Sequence, residues 1–161
     1  MTTHDEDLKK LSALVKDAKI ALLTTVSDEG HLHSRPLGLQ QDEFEGDLWF
    51  LTQHPSSKTA DIATNPQVNV AFESDRGWVS IAGTASVVRD DAKIDELWTP
   101  SASAWFPEGR EDPTIALVRV EGISAETWST DDPKAVVLFK LTKAALTGGQ
   151  PDIGDNTSFD L

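Results

Sequence analysis

Cysteine is absent from this chain. Disulfides, thiolate nucleophiles, iron–sulfur clusters and cysteine-ligated zinc are thereby excluded, and nothing calls for an oxidising compartment. Cations are scarce, with 14 lysines and arginines against 27 aspartates and glutamates, a formal charge of −13. Such a balance repels phosphate backbones and anionic lipids, so neither nucleic acid nor a membrane surface is an expected partner. Any anionic ligand must be held by a few local basic groups. No apolar run approaches the ~18 residues of a membrane span. Met1 to Asp7 is acidic and polar where a secretory leader is basic and then apolar, so the expected location is cytoplasmic. Gly-x-Gly-x-x-Gly, Gly-x4-Gly-Lys-Ser/Thr and Gly-x-Ser-x-Gly are all missing. Rossmann, P-loop and α/β-hydrolase chemistry therefore find no support.

What is present suits one domain of 161 residues. Thr3 and Glu6 have the form of a capping box, and Leu8, Leu11, Leu14 and Val15 recur at helical spacing, predicting a helix over 4–17. Ile20 to Val26 and residues 31–40 read as a hairpin joined by the turn Ser27-Asp28-Glu29-Gly30. Leu48 to Gln53 predicts a third strand, Pro55 and two serines open a short helix, and Asn65-Pro66 closes it. Alternating Val68, Val70 and Phe72 mark a fourth strand, and Trp78 to Arg89 a fifth with a bulge or bend at Gly83.

Asp90-Asp91 caps a helix carrying Ile94, Leu97 and Trp98 on one face, followed by a long loop over 99–113. Two last strands are expected, from Thr114 to Val120 and from Ile123 to Trp128. Asp132-Pro133 predicts a final helix to residue 146, although its Ala-Val-Val-Leu-Phe run also suits a buried strand. Residues 150–161 lack periodicity and apolar mass and read as a flexible tail after a domain spanning 1–149. The sum is a mainly β (α+β) fold: six or seven antiparallel strands in a small barrel with peripheral helices.

Two segments could carry chemistry. Arg35 precedes Pro36, which biases it towards extended backbone and projects its guanidinium from a strand, and that fork can hold two phosphate oxygens together. Ser56, Ser57 and Lys58 stand where a helix begins, beside unpaired N–H donors and the positive end of its dipole. Together they read as a phosphate clamp of the sort that grips a small nucleotide cofactor. The ordinary alternative is that the serines are helix caps and the arginine a solvated or carboxylate-paired side chain. His31 and His33 share a strand face in a His-x-His pattern, but a third ligand could come only from His4, His54 or carboxylates, and surface histidines without metal are the favoured reading. Tyrosine is absent, whereas the five tryptophans at 49, 78, 98, 105 and 128 are expected mostly in core or interface; Trp105 and Trp128 invite cofactor stacking.

The order and spacing of Ala21-Leu22-Leu23-Thr24-Thr25, Gly30 to Leu37, Leu48 to Thr52 with Ser57-Lys58, Asn65-Pro66-Gln67-Val68, Trp105-Phe106-Pro107 and Ala125-Glu126-Thr127-Trp128 resemble the pyridoxamine 5'-phosphate oxidase-like flavoproteins, particularly the general stress protein branch. The resemblance implies a split β-barrel homodimer binding FMN, or else FAD or a deazaflavin, in clefts along the subunit interface. It implies that Arg35 and Lys58 hold the phosphate with Ser57 and Ser56. Thr25, Pro36 and Leu37 would lie against the ribityl chain or ring, and Phe50, Leu51 and Thr52 would line the pocket. Trp105 and Phe106 would reach the flavin from the partner. The implied chemistry is an oxidoreductase's, with a small-molecule electron donor or acceptor; a flavin-storing or flavin-sensing module and a cofactor-free structural dimer are the alternatives. No catalytic acid or base stands out. True pyridoxamine phosphate oxidases share a C-terminal Trp and Arg segment for substrate, whereas residues 133–161 here contain no arginine, which argues against vitamin B6 oxidase activity.

Overall fold

The computed structural model describes residues 3–129, 134–151 and 154–161. Helix α1 (Thr3–Asp17) turns Leu11, Leu14 and Val15 into the core, which is the face their spacing predicts. The Thr3 side chain and the Asp132-Pro133 helix start lie outside the described residues. Strands β1 (Ile20–Val26) and β2 (Leu32–Gly38) form the expected hairpin, with Gly30 at a φ of +83° in its turn. After β3 (Asp47–Gln53) and a cis His54–Pro55 bond comes α2 (Ser57–Thr64), whose Asn65 cap precedes Pro66 as anticipated. Strands β4 (Gln67–Ser74) and β5 (Gly77–Val88) follow, and then α3 (Asp91–Leu97), capped by the Asp90 side chain.

Three expectations need correction. Residues 99–113 are not an open loop: they hold the single turn α4 (Pro100–Ser103) and a 3-10 turn at Gly109–Glu111. Phe106 anchors this segment in a small cluster with Ile94, Leu97, Ile115 and Leu117, which is why so long a connection stays folded. The two last strands are one, β6 (Ile115–Ser129), because Gly122 opposes Gly83 at the bulge and the strand bends through it unbroken. The closing residues are no tail. After α5 (Lys134–Thr147), strand β7 (Asp155–Asp160) pairs with the second half of β6 and buries Phe159. One aromatic and a ladder of backbone hydrogen bonds dock a segment whose side chains alone offered little.

The strand order is β2-β1-β4-β5-β6-β3, antiparallel throughout, with β7 sharing β3's edge of β6. The sheet curls into a half-barrel around a core of α1 and the inward faces of the strands, including Leu23, Phe50, Val70, Val79, Ile81 and Val118. The curl brings the two end strands, β2 and β3, near each other without pairing them. A slit is left between them, and α2 lies across β1 and β5 beside it.

Candidate functional site

The slit gathers the basic residues. On β2, His33, Arg35 and Leu37 alternate with the outward Ser34 and Pro36; Leu37 packs on the core, while Arg35 stands opposite Leu23 and turns towards α2. Its Nη1 donates to Thr25 Oγ1 at 2.6 Å and to the His33 carbonyl at 3.0 Å. Nη2 lies 3.5 Å from Asp61 Oδ2. Thr25 is fully buried, and its hydroxyl donates to the same Asp61 oxygen at 2.8 Å. A relay therefore runs from guanidinium to hydroxyl to carboxylate and fixes Arg35 in one rotamer. His33 Nδ1, on an exposed ring, stands 3.7 Å from that carboxylate.

Lys58 enters from the first turn of α2. Its Nζ donates to Thr52 Oγ1 at 2.9 Å, tying the helix start to the end of β3. Burial holds the Lys58 ammonium below the usual lysine range, and the neighbouring positive charge of Arg35 lowers it further. Two cations that repel each other across a half-buried slit, in a chain so rich in carboxylates, form a place where a dianion would relieve the repulsion. Ser56 is the N-cap of α2, and its side chain and that of Thr59 form a reciprocal capping box, so the Ser56 hydroxyl is already engaged. That leaves exposed Ser57 and the N–H groups of Ser57 and Lys58, which have no intrahelical acceptor at the start of α2.

The other residues singled out from sequence are spread differently. Phe50 is wholly buried in the core and Leu51 packs on the opposite side against the small cluster, so at those positions β3 presents backbone rather than aromatic surface. The edge of β3 away from β6 has no strand partner among the described residues, which leaves peptide groups along the slit. Phe106 is buried against Trp98, with ring centroids 5.7 Å apart, whereas Trp105 is 78% exposed near Gln53 at the end of β3. Of the two places expected for the tryptophans, the core takes none of the five fully: Trp49 lies under the charges of Lys93 and Arg119, and Trp78 and Trp128 stand side by side on the outer face.

Sequence reasoning missed Asp61. The readable signal was its position three residues after Lys58 on the same helix face. That it reaches back to Thr25, across 36 residues of chain, is a tertiary fact.

A half-open antiparallel barrel, here with a basic cluster in the slit between its end strands, defines a split-barrel protein. Comparison with known proteins gives the family. The family model described as "Pyridoxamine 5'-phosphate oxidase like" matches residues 6–152, and the chain belongs to that family. Among curated proteins, the Neurospora crassa protein bli-3 is 34% identical over 133 residues, covering 75% of this chain and 64% of bli-3. This chain thus spans about two thirds or less of that relative's length. Among solved structures, a candidate general stress protein 26 from Jannaschia sp. CCS1 superposes with a TM-score of 0.74 at 24% identity, over 98% of this chain and 99% of that one. The general stress FMN/FAD binding protein of Xanthomonas citri gives a TM-score of 0.68 at 27% identity, over 80% of this chain and 92% of its own.

Proposed function

We infer that this chain is a flavin-binding protein whose slit takes the phosphate of FMN, with a second copy of the chain closing the cleft over the ring. The observation that carries the reading is the neighbouring pair of cations Arg35 and Lys58, each held by a threonine hydroxyl, beside the first turn of α2. A phosphate monoester dianion suits that set: the guanidinium fork spans two oxygens, and Lys58, Ser57 and two helix N–H groups serve the third. The kinship with a protein described as FMN/FAD binding supports the same cofactor class. FMN is favoured over FAD or a deazaflavin because its phosphate is terminal and doubly charged near neutral pH.

When bound, the flavin would supply hydride and electron transfer, and the protein's share is binding, orientation and electrostatics. Arg35 and Lys58 fix the phosphate end, and the unpaired edge of β3 offers peptide groups to the remainder. We assign the chain to oxidoreductases acting with a small-molecule donor or acceptor.

The test is an absorbance spectrum of the freshly purified protein before and after adding FMN, with excess removed by gel filtration. Visible flavin bands that travel with the protein, and that are lost in Arg35→Ala and Lys58→Ala, are the expected result. A protein that retains none of FMN, FAD or a deazaflavin refutes the assignment. Reduction of the bound flavin by NADH or NADPH and reoxidation by an acceptor would then separate turnover from storage.

A further inference from the structure

The slit is short of positive charge for the ligand assigned to it. Arg35 and Lys58 bring two cations, but the largely buried carboxylate of Asp61, 3.5 Å from Arg35 Nη2, cancels one of them. A phosphate monoester is a dianion above about pH 6, and in a half-buried site each of its charges has to be met. A further group stands ready to supply the missing one. His33 precedes Arg35 by two residues on β2, so both side chains leave the same face of the strand. Its Nδ1 is 3.7 Å from Asp61 Oδ2, the oxygen that accepts from Thr25 at 2.8 Å and faces Arg35. Imidazole is the side chain that changes charge between about pH 5 and 8. The His33 ring is 53% exposed, so a proton can reach it from water. Other charges around it are few: β1 carries no ionisable residue, α2 offers Lys58 and Asp61, β2 itself adds Arg35, and Asp47 of β3 is paired with Arg119. His31, at the turn, lies 3.6 Å from Glu29 instead.

We propose that His33 is the third cation of the phosphate site, taking up a proton from solvent as the dianion binds. The proposal rests on the flavin reading of the slit and adds a residue to it. Two effects follow from the one proton. The imidazolium replaces the positive charge that Asp61 cancels, so the slit matches the two charges of the phosphate. It also gives Asp61 Oδ2 a charged donor of its own, which releases Arg35 Nη2 from that oxygen to the ligand while Nη1 stays on Thr25. His33 and Arg35 thus share one carboxylate, and the incoming phosphate draws Arg35 away from it. A nearby dianion favours the charged imidazole, so binding and protonation reinforce each other. FMN affinity then falls as pH rises through neutrality.

Isothermal calorimetry of FMN binding in two buffers of different ionisation enthalpy counts the protons exchanged. It is run at about pH 7.5, where the free phosphate is already almost wholly dianionic and contributes little. The expected result is a fraction of a proton taken up per FMN by the wild type and none by His33→Gln. Wild-type affinity should fall roughly threefold per pH unit around neutrality, the slope that half a proton gives, while His33→Gln binds more weakly and stays flat. His33→Lys carries a permanent cation and should bind FMN more tightly than His33→Gln, again without uptake. Binding by the wild type with no proton uptake overturns the inference and leaves FMN as the ligand. Uptake that persists in His33→Gln belongs to another group, Lys58 foremost, and does the same. Failure of the wild type to bind FMN at all overturns the flavin reading, and the inference with it.

Discussion

Replacing Thr25 by valine isolates the relay from the clamp. Valine keeps the volume and β-branching of threonine but removes the hydroxyl that accepts from Arg35 and donates to Asp61. Hydrogen bonds to charged groups contribute roughly 1.5–3 kcal/mol each. Arg35 and Asp61 retain 19% and 13% of their side-chain exposure, so water and their direct contact recover part of the loss. A net destabilisation of about 1–3 kcal/mol follows, which for a domain of this size lowers Tm by roughly 2–12 °C. Binding should suffer separately. The freed Arg35 must be immobilised again by the phosphate, a cost of about 0.5–1.5 kcal/mol, or a two- to twelve-fold weaker FMN affinity. Fluorescence titration with FMN and thermal melts read the two effects. Thr25→Ser is the control: it keeps the hydroxyl, should hold FMN like the wild type, and should lose only about 0.8 kcal/mol for the missing methyl. If valine binds FMN as tightly as serine does, Arg35 is not positioned through Thr25.

Arg35→Ala and Lys58→Ala should each weaken FMN by roughly 1.5–3 kcal/mol in the same titration, and Arg35→Lys should recover only part because an ammonium cannot span two oxygens. FMN affinity should fall on an alkaline limb that starts below 10.5, since the Lys58 ammonium is already lowered and its loss removes a contact; Lys58→Ala should lack that limb. By the same linkage the flavin-free protein gains stability as pH rises between the lowered value and 10.5, where the unfolded chain binds the extra proton, which denaturant titrations across that range would reveal. Gly77→Ala should cost at least about 2 kcal/mol in urea unfolding, because Gly77 has a φ of +144° and a Cβ there would overlap the Trp128 carbonyl oxygen. Phe159→Ala should destabilise by about 3 kcal/mol by the same measure if β7 belongs to the fold, and by nothing measurable if residues 150–161 are a tail.

Local chemistry decided most of the elements, and those were legible. Leu11, Leu14 and Val15 mark α1 by period, Val68, Val70 and Phe72 mark β4 by alternation, and Asp90 and Asn65-Pro66 bound helices through backbone groups only a few residues away. Arg35 and the Ser-Ser-Lys start of α2 could be named from sequence because each is defined by its own neighbours. Their convergence was expected as a clamp, but what produces it, the sheet curling until its two end strands come near each other, is not a local property. The same long-range geometry joins Thr25 to Asp61 behind Arg35, a bond across 36 residues that no local pattern announces. It also turned residues 155–160 into a strand: a weakly apolar segment folds when a free edge of β6 stands ready to pair with it, and the existence of that edge is a property of the whole sheet. Sequence alone determined which short stretches could be helix, strand or phosphate ligand. Tertiary structure decided which of those ligands meet and which side chains hold them in place, because contacts between distant residues depend on the path of the entire chain.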